Sequence, residues 1–140
     1  MKANGSSNWR GDWHTGEGTM STASVSVDAA PYTFQTRFEQ EGGVGPEELL
    51  AAGHAGCFNQ ALANNLGQNG HAAAWMETTV SVDFGIDDGL PTIRGSHISV
   101  RAAVPGISDD DFQEWVRRSA KGCTISRVLT TPVTVEAVLA

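Results

Sequence analysis

The sequence predicts an α+β fold with a mostly antiparallel sheet. Strand and helix patterns follow one another in the order β-β-β-α-β-β-α-β. An alanine-rich helical stretch occupies residues 45–69, and an Asp-Asp-Gly turn at 87–89 joins two alternating segments into a hairpin. The 140 residues are enough for one domain with a hydrophobic core, so we expect a single domain over residues 1–140.

The N-terminal part of the chain is predicted to form strands. Residues 1–7 are expected to fray, and residues 8–13 to form an edge strand. Residues 19–28 are rich in Thr, Ser and Val and alternate in part. Residues 32–38, YTFQTRF, alternate cleanly, which predicts a strand that carries Arg37 on its polar face.

Residues 45–69 predict the central helix. Gly45 and Pro46 suit its start, and Glu47 and Glu48 place negative charge in its first turn. No charged residue follows within the stretch, so we expect this helix to be buried nearly all round. Its apolar residues recur with a helical period at Leu50, Cys57, Phe58, Ala61, Leu62 and Leu66.

The C-terminal half predicts a hairpin, a second helix and a last strand. Residues 71–84 and 91–104 alternate as strands around the 87–89 turn. Ser108 is expected to cap an amphipathic helix that ends at Gly122. Residues 123–129 predict a further helical turn, and residues 132–139 a strand.

Composition excludes several function classes. The net charge is −7 and no Lys/Arg cluster exists, which argues against a nucleic-acid partner. The charge-free run contains Asn59, Gln60 and Asn64, which argues against a membrane span. The first residues lack an apolar core, so we expect no signal peptide and a cytoplasmic location. In that compartment, two cysteines are expected to be reactive thiols.

Cys57 is the candidate nucleophile. A reactive thiol must be a thiolate, and burial in an apolar helix opposes that charge. Arg37 is the candidate that stabilises it, and Glu47 or Glu48 the candidate partner of the guanidinium. Glu47 and Cys57 are ten positions apart, about 15 Å along a straight helix. Either the helix bends before Cys57, or a partner chain donates one of the groups.

Four segments together resemble the OsmC/Ohr family of thiol peroxidases, on its OsmC side. The segments are residues 10–18 (RGDWHTGEG), 36–38 (TRF), 46–58 (PEELLAAGHAGCF) and 122–129 (GCTISRVL), and the resemblance spans nearly the whole chain. One departure is Thr124, where the family usually has proline.

The resemblance implies an OsmC-like fold in an intertwined homodimer, with sheets wrapped around central helices. It also implies a peroxidase for organic hydroperoxides, and less well for hydrogen peroxide, in oxidative or osmotic stress defence. Cys57 would be the peroxidatic thiol and Cys123 the resolving thiol, with Arg37 and Glu47 completing the site. The implied chemistry uses no metal or bound cofactor, and a dithiol, such as a protein-bound lipoyl group, recycles the enzyme.

Two other function classes stay open on the sequence. Cys57 and His54 lie one helical turn apart, which allows a cysteine hydrolase or acyltransferase. A non-catalytic dimer that binds a small hydrophobic ligand is the second alternative. The remaining histidines do not have metal-ligand spacing. Some of the four tryptophans, with Phe38 and Phe58, are candidates for an apolar substrate mouth.

Overall fold

Six β-strands and four α-helices make up the chain, and this computed structural model describes all of residues 1–140. They form two compact units, Met1–Leu49 and Leu50–Ala140. The α+β class and the mostly antiparallel pairing are confirmed. The single domain and the homodimer stay predictions.

The first unit contains a three-stranded antiparallel sheet. Its strands are β1 (Gly5–Arg10), β2 (Glu17–Thr22) and β3 (Ala30–Thr33), in the order β1-β2-β3. The predicted fraying of residues 1–7 is wrong from Gly5 onward, because Gly5 pairs with Thr22. The predicted strand over 19–28 ends at Thr22. There the Thr22 N–H group donates to the Val27 carbonyl at 2.9 Å and closes a turn.

The predicted strand over residues 32–38 is also wrong. Only Tyr32 and Thr33 belong to β3, and Phe34–Phe38 form a short helix, α1. The physical reason is a capping box. The Thr33 hydroxyl accepts from the Thr36 amide at 3.2 Å, and the Thr36 hydroxyl accepts from the Thr33 amide at 3.0 Å. Arg37 therefore lies in the last turn of a helix rather than on a strand.

Helix α2 (Pro46–Gln68) begins in the first unit and continues into the second. The second unit has an antiparallel hairpin of β4 (Trp75–Asp87) and β5 (Leu90–Ala103), and β6 (Val133–Leu139) pairs with β5 in parallel. The hairpin turn is confirmed at Asp88 and Gly89, whose φ angles of 51° and 78° suit a type I′ turn. Two further helices, α3 (Asp109–Gly122) and α4 (Thr124–Val128), lie between β5 and β6 in the chain.

The hydrophobic core of the second unit lies between α2, α3 and the sheet. The Ser108 hydroxyl caps α3 by accepting from the Asp111 amide at 3.1 Å, as predicted. The apolar stripe of α3 then packs into the core. Buried members of this core are Phe58, Leu62, Leu66, Ile98, Val100, Ala102, Val104, Phe112, Val116 and Ala120.

The prediction that α2 is buried nearly all round is wrong for the single chain. Its buried residues repeat every fourth position, at His54, Phe58, Leu62 and Leu66, and make one stripe. The opposite face consists mainly of small residues and is exposed; it includes Ala52, Gly56, Ala63 and Gly67. No helix of the chain has the length and apolar character needed to cross a membrane.

Candidate active site

Both cysteines are free thiols in the second unit. Cys57 projects from α2 and is partly buried, whereas Cys123 lies between α3 and α4 with only 1% of its surface exposed. The Cys123 amide donates to the Ser119 carbonyl at 2.9 Å, and the Cys123 carbonyl accepts from the Arg127 amide at 3.0 Å. These bonds end one helix and begin the next, and so fix the backbone of Cys123.

The fold brings the two cysteines into contact although they are far apart in sequence. The two thiols are close enough for each to shift the pKa of the other, with the Cys123 S–H group as the donor toward the Cys57 sulfur. Ile125 of α4 lies over Gly53 of α2, where an added Cβ would meet the Ile125 Cδ1 atom at 3.5 Å, an ordinary van der Waals distance. Two free thiols this close are the natural pair for a disulfide within the chain.

The surroundings of Cys57 favour its thiolate. Burial by itself would raise the pKa of the Cys57 thiol. The hydrogen bond from Cys123, the backbone N–H groups of Ile125 and Thr124, and the Thr124 hydroxyl act in the opposite direction and outweigh burial. The pKa of Cys57 therefore lies below its ordinary value, which increases the fraction of reactive thiolate at neutral pH.

Cys123 has the opposite character. Burial raises its pKa above the ordinary value, and the neighbouring Cys57 raises it further. The Ser126 and Ile125 groups lower it but do not compensate. Cys57 is therefore the cysteine that ionises more readily, and Cys123 keeps its proton to higher pH, which is the order that a two-cysteine oxidation uses.

Thr124 is the residue that departs from the family pattern, and it is the first residue of α4. Its backbone N–H and its hydroxyl both act on the Cys57 sulfur. A proline at this position has neither donor. The substitution therefore adds two hydrogen-bond donors to the reactive thiol.

Arg37 and Glu47 form an ion pair within the first unit. The Arg37 Nη2 atom donates to Glu47 Oε1 at 2.6 Å, and Arg37 Nε donates to the same oxygen at 3.1 Å. Both side chains are largely buried, with 28% and 14% of their surfaces exposed. The guanidinium also lies over the Phe38 ring, 5.0 Å from its centre. This arrangement presents a fixed cation at the end of α1.

Aromatic side chains surround this cation. A cavity of about 170 Å³ is lined by Trp9, Trp13, Tyr32, Thr33, Phe34, Arg37 and Phe38. Trp13 packs edge-on against Phe34 and Phe38, with ring centres 5.2 and 5.8 Å apart. The first unit thus combines an apolar pocket with one charged group at its wall.

His54 does not form the Cys–His pair that a hydrolase would need. It is fully buried, and its Nδ1 and Nε2 atoms lie 2.9 Å from the Ser96 hydroxyl and 2.8 Å from the Ser126 hydroxyl. Both ring nitrogens are therefore engaged by serines. Sequence reasoning missed both serines as functional candidates, although Ser126 stands in the Cys-x-x-Ser segment that carried the family resemblance.

Comparison with known proteins places this geometry in a family. The sequence profile described as OsmC-like protein matches residues 39–138. The chain is 38% identical over 132 residues to Peroxiredoxin OsmC of Escherichia coli (strain K12), covering 94% of this chain and 92% of that protein. It is 30% identical over 84 residues to Organic hydroperoxide resistance protein-like 2 of Staphylococcus epidermidis, covering 59% and 57%.

Solved structures show the same fold. The organic hydroperoxide resistance protein OhrB of Bacillus subtilis superposes with a TM-score of 0.75 at 22% identity, covering 99% of this chain and 98% of that chain. An OsmC-like protein from Mycoplasma pneumoniae also reaches 0.75, at 14% identity, with 100% and 98% covered. At 22% and 14% identity, these two structures show that the chain shares their fold.

Proposed function

This chain belongs to the OsmC-like family, and from that premise we propose that it reduces organic hydroperoxides, and hydrogen peroxide less well, through a Cys57 sulfenic acid that Cys123 resolves. It is a peroxidase of the peroxiredoxin kind. The observation that carries the proposal is the contact between a Cys57 thiol of lowered pKa and a buried Cys123 of raised pKa.

The reaction proceeds in three balanced steps. The Cys57 thiolate attacks the terminal oxygen of the hydroperoxide, the O–O bond breaks, and the alkoxide takes a proton and leaves as an alcohol. Cys123 then attacks the Cys57 sulfenic acid, so that an S–S bond forms, the S–O bond breaks and water leaves. A dithiol, such as a protein-bound lipoyl group, reduces the disulfide by exchange and becomes oxidised itself.

We assign Arg37 and Glu47 to the same site, with Arg37 holding the peroxide and the Cys57 thiolate and Glu47 fixing the guanidinium. The ion pair supports this role, because Glu47 keeps the planar group in one orientation. Helix α2 runs without a break from Pro46 to Gln68, so Glu47 and Cys57 are about 15 Å apart along it. The ion pair of one chain would then serve Cys57 of a second chain.

A homodimer would also cover the exposed small-residue face of α2. An intertwined pair of chains can bring two such faces together, because residues without large side chains let backbones approach closely. The apolar pocket beside Arg37 would accept the organic part of the substrate, with the peroxide group directed at the guanidinium. The names of the relatives, a peroxiredoxin and an organic hydroperoxide resistance protein, support a role in stress defence. We propose that this role is carried out in the cytoplasm.

The alternative functions have less support. A hydrolase would need His54 on Cys57, but two serines occupy its nitrogens. A binding protein without catalysis would leave the hydroperoxide intact. The deciding experiment incubates reduced protein with cumene hydroperoxide and follows peroxide loss with dithiothreitol or dihydrolipoamide as reductant. Turnover that disappears in Cys57→Ser supports the proposal, whereas intact peroxide would refute it. Sedimentation velocity of the same samples tests the dimer.

A further inference from the structure

His54 is a buried, neutral base beside the thiol pair, and the three peroxidase steps leave it unused. It lies on α2 one turn before Cys57, and Ser126 links it to α4. Ser126 is the third residue after Cys123, on the same first turn of α4. Ser96 reaches the other ring nitrogen from β5 and is itself 3% exposed. The imidazole ring of His54 on α2 thus joins β5 to α4.

We propose that Ser126 and His54 relay the proton from Cys123 when this thiol attacks the Cys57 sulfenic acid, and that Ser96 holds His54 in the tautomer that the relay needs. The inference rests on the proposed function, because it concerns the second of the three steps. His54 acts through Ser126, so it is a positioning and proton-accepting residue rather than one that touches the reacting sulfur atoms.

The second step needs a base at this place. The attacking sulfur must be a thiolate, yet burial and Cys57 raise the pKa of Cys123, so this thiol carries its proton at neutral pH. Burial lowers the pKa of His54, so the imidazole is neutral at the same pH, and its Nε2 atom can take up a proton from Ser126. The donor and the acceptor of the proton are therefore both in the required state.

The hydrogen-bond directions allow the transfer. In the tautomer with the proton on Nδ1, His54 donates to Ser96 and accepts from the Ser126 hydroxyl at Nε2. The Ser126 oxygen then keeps a lone pair that can accept the Cys123 S–H group when this group turns away from Cys57. Ser126 is close enough to Cys123 to affect the pKa of that thiol. After transfer, the imidazolium donates from both nitrogens, and both serine oxygens accept.

Protons and electrons balance in this step. The Cys123 sulfur gives its proton to Ser126, and Ser126 gives its own proton to His54, while the sulfur's electron pair forms the bond to Cys57. The S–O bond of the sulfenic acid breaks and the hydroxide leaves. His54 gives up the proton it received, which neutralises that hydroxide, so one water is released and the imidazole returns to its neutral form.

Charged groups on the elements around His54 do not compete with the relay. Burial is the sole cause of its lowered pKa. On β5, Arg94 is exposed and paired with Asp87, and His97 lies on the face opposite to Ser96. Arg127 on α4 is exposed. Arg101 on β5 and Glu48 on α2 are exposed, and Glu47 on α2 is paired with Arg37. The other titratable groups here are Cys57 and Cys123, and both belong to the reaction.

Single-turnover kinetics test the relay. Reduced protein is mixed with one equivalent of cumene hydroperoxide. Peroxide loss reports the first step, and quenched samples treated with dimedone report the Cys57 sulfenic acid as it converts to the disulfide. In Ser126→Ala and His54→Gln, we expect an unchanged first step and disulfide formation at pH 7 slowed by about tenfold or more. Ser126→Thr keeps the hydroxyl and should retain most of the rate.

The pH profile separates a relay from a merely structural role. In the wild type, disulfide formation should rise with pH as His54 becomes neutral and then level off, and burial lowers the pKa of His54 so that this rise ends earlier than for an ordinary histidine. In Ser126→Ala it should keep rising until Cys123 ionises by itself. Ser119→Ala is the matched control, because Ser119 is a fully buried serine of α3 whose hydroxyl donates to the Trp115 carbonyl at 2.7 Å. Equal rates and equal profiles in wild type and Ser126→Ala would overturn the relay.

A measurement without peroxide tests the relay independently of the peroxidase activity. Nitrogen-15 spectra of the reduced protein, with the His54 signals assigned through His54→Gln, report the tautomer directly. The expected result is a neutral imidazole with its proton on Nδ1 at pH 7, and a weaker preference in Ser96→Ala. A proton on Nε2 would rule out the relay even in an active peroxidase. If the protein has the expected tautomer but does not consume peroxide, the result contradicts the proposed function and not the His54 arrangement.

Discussion

The Arg37 guanidinium binds Glu47 through two of its nitrogens, Nη2 at 2.6 Å and Nε at 3.1 Å from one carboxylate oxygen. The pair joins the last turn of α1 to the first turn of α2, so it depends on the capping box that turns the chain into α1 at Thr33. Breaking the pair leaves a guanidinium that keeps its charge but loses its orientation. This distinction can be measured.

Glu47→Gln is expected to slow the reaction with cumene hydroperoxide while the pKa of Cys57 changes little. The neutral amide leaves the Arg37 charge in place and weakens the bonds that fix its plane. Stopped-flow peroxide kinetics, paired with thiolate absorbance against pH, give both quantities. Glu48→Gln is the matched control, since this acid occupies the same first turn but is exposed. Equal losses in the two variants would show that the ion pair has no special role.

Arg37→Ala is expected to raise the pKa of Cys57 and to slow peroxide reduction at neutral pH. An opposite charge within about 4–6 Å shifts a pKa by roughly one to three units, and its removal reverses that shift. Arg37→Lys should restore the rate only in part, because an ammonium keeps the charge and loses the planar fork. The same absorbance titration and kinetics apply. An unchanged pKa and an unchanged rate in Arg37→Ala would remove Arg37 from the site.

Thr124→Val is expected to raise the pKa of Cys57, because it removes a hydroxyl that acts on the sulfur. The thiolate is the reactive form, so the rate of the first step should fall at neutral pH and approach the wild-type rate at higher pH, above both pKa values. Thr124→Ser keeps a hydroxyl and should behave as the wild type. Thr124→Pro, the residue usual in the family, also removes the N–H and should shift the profile further than Thr124→Val. A profile that does not move in Thr124→Val would show that the hydroxyl is idle.

Cys57→Ser is expected to abolish peroxide consumption, whereas Cys123→Ser should complete one turnover and then stop. The first variant lacks the nucleophile, and the second forms a sulfenic acid that no thiol of the chain resolves. Peroxide loss per protein chain measures the difference. After oxidation of the wild type, peptide mapping should find Cys57 and Cys123 linked within one chain. Covalent dimers on non-reducing gels, without that intrachain link, would contradict the assignment of Cys123.

The order of the elements and the identity of the thiols could be read from the sequence, because both rest on local patterns. The long alternating segments of β4 and β5, the Asp88-Gly89 turn and the Ser108 cap each have a signal within a few residues of chain. The segment around Cys57 also carried the family resemblance. The prediction for residues 34–38 was wrong because this local pattern is too short. Five residues fit both the strand period and the helix period, and the hydroxyls of Thr33 and Thr36 stabilise the helix.

Local patterns in the chain are therefore enough to predict its fold class, its reactive cysteines and its family. The groups that surround each sulfur depend instead on how distant segments pack. The Thr124 donors, the serines that hold His54 and the closeness of Cys57 to Cys123 come from the packing of α4 and β5 against α2, between residues far apart in the chain. The pKa of a thiol depends on burial and on donors a few ångströms away, and those are set by neighbours in space rather than by neighbours in sequence.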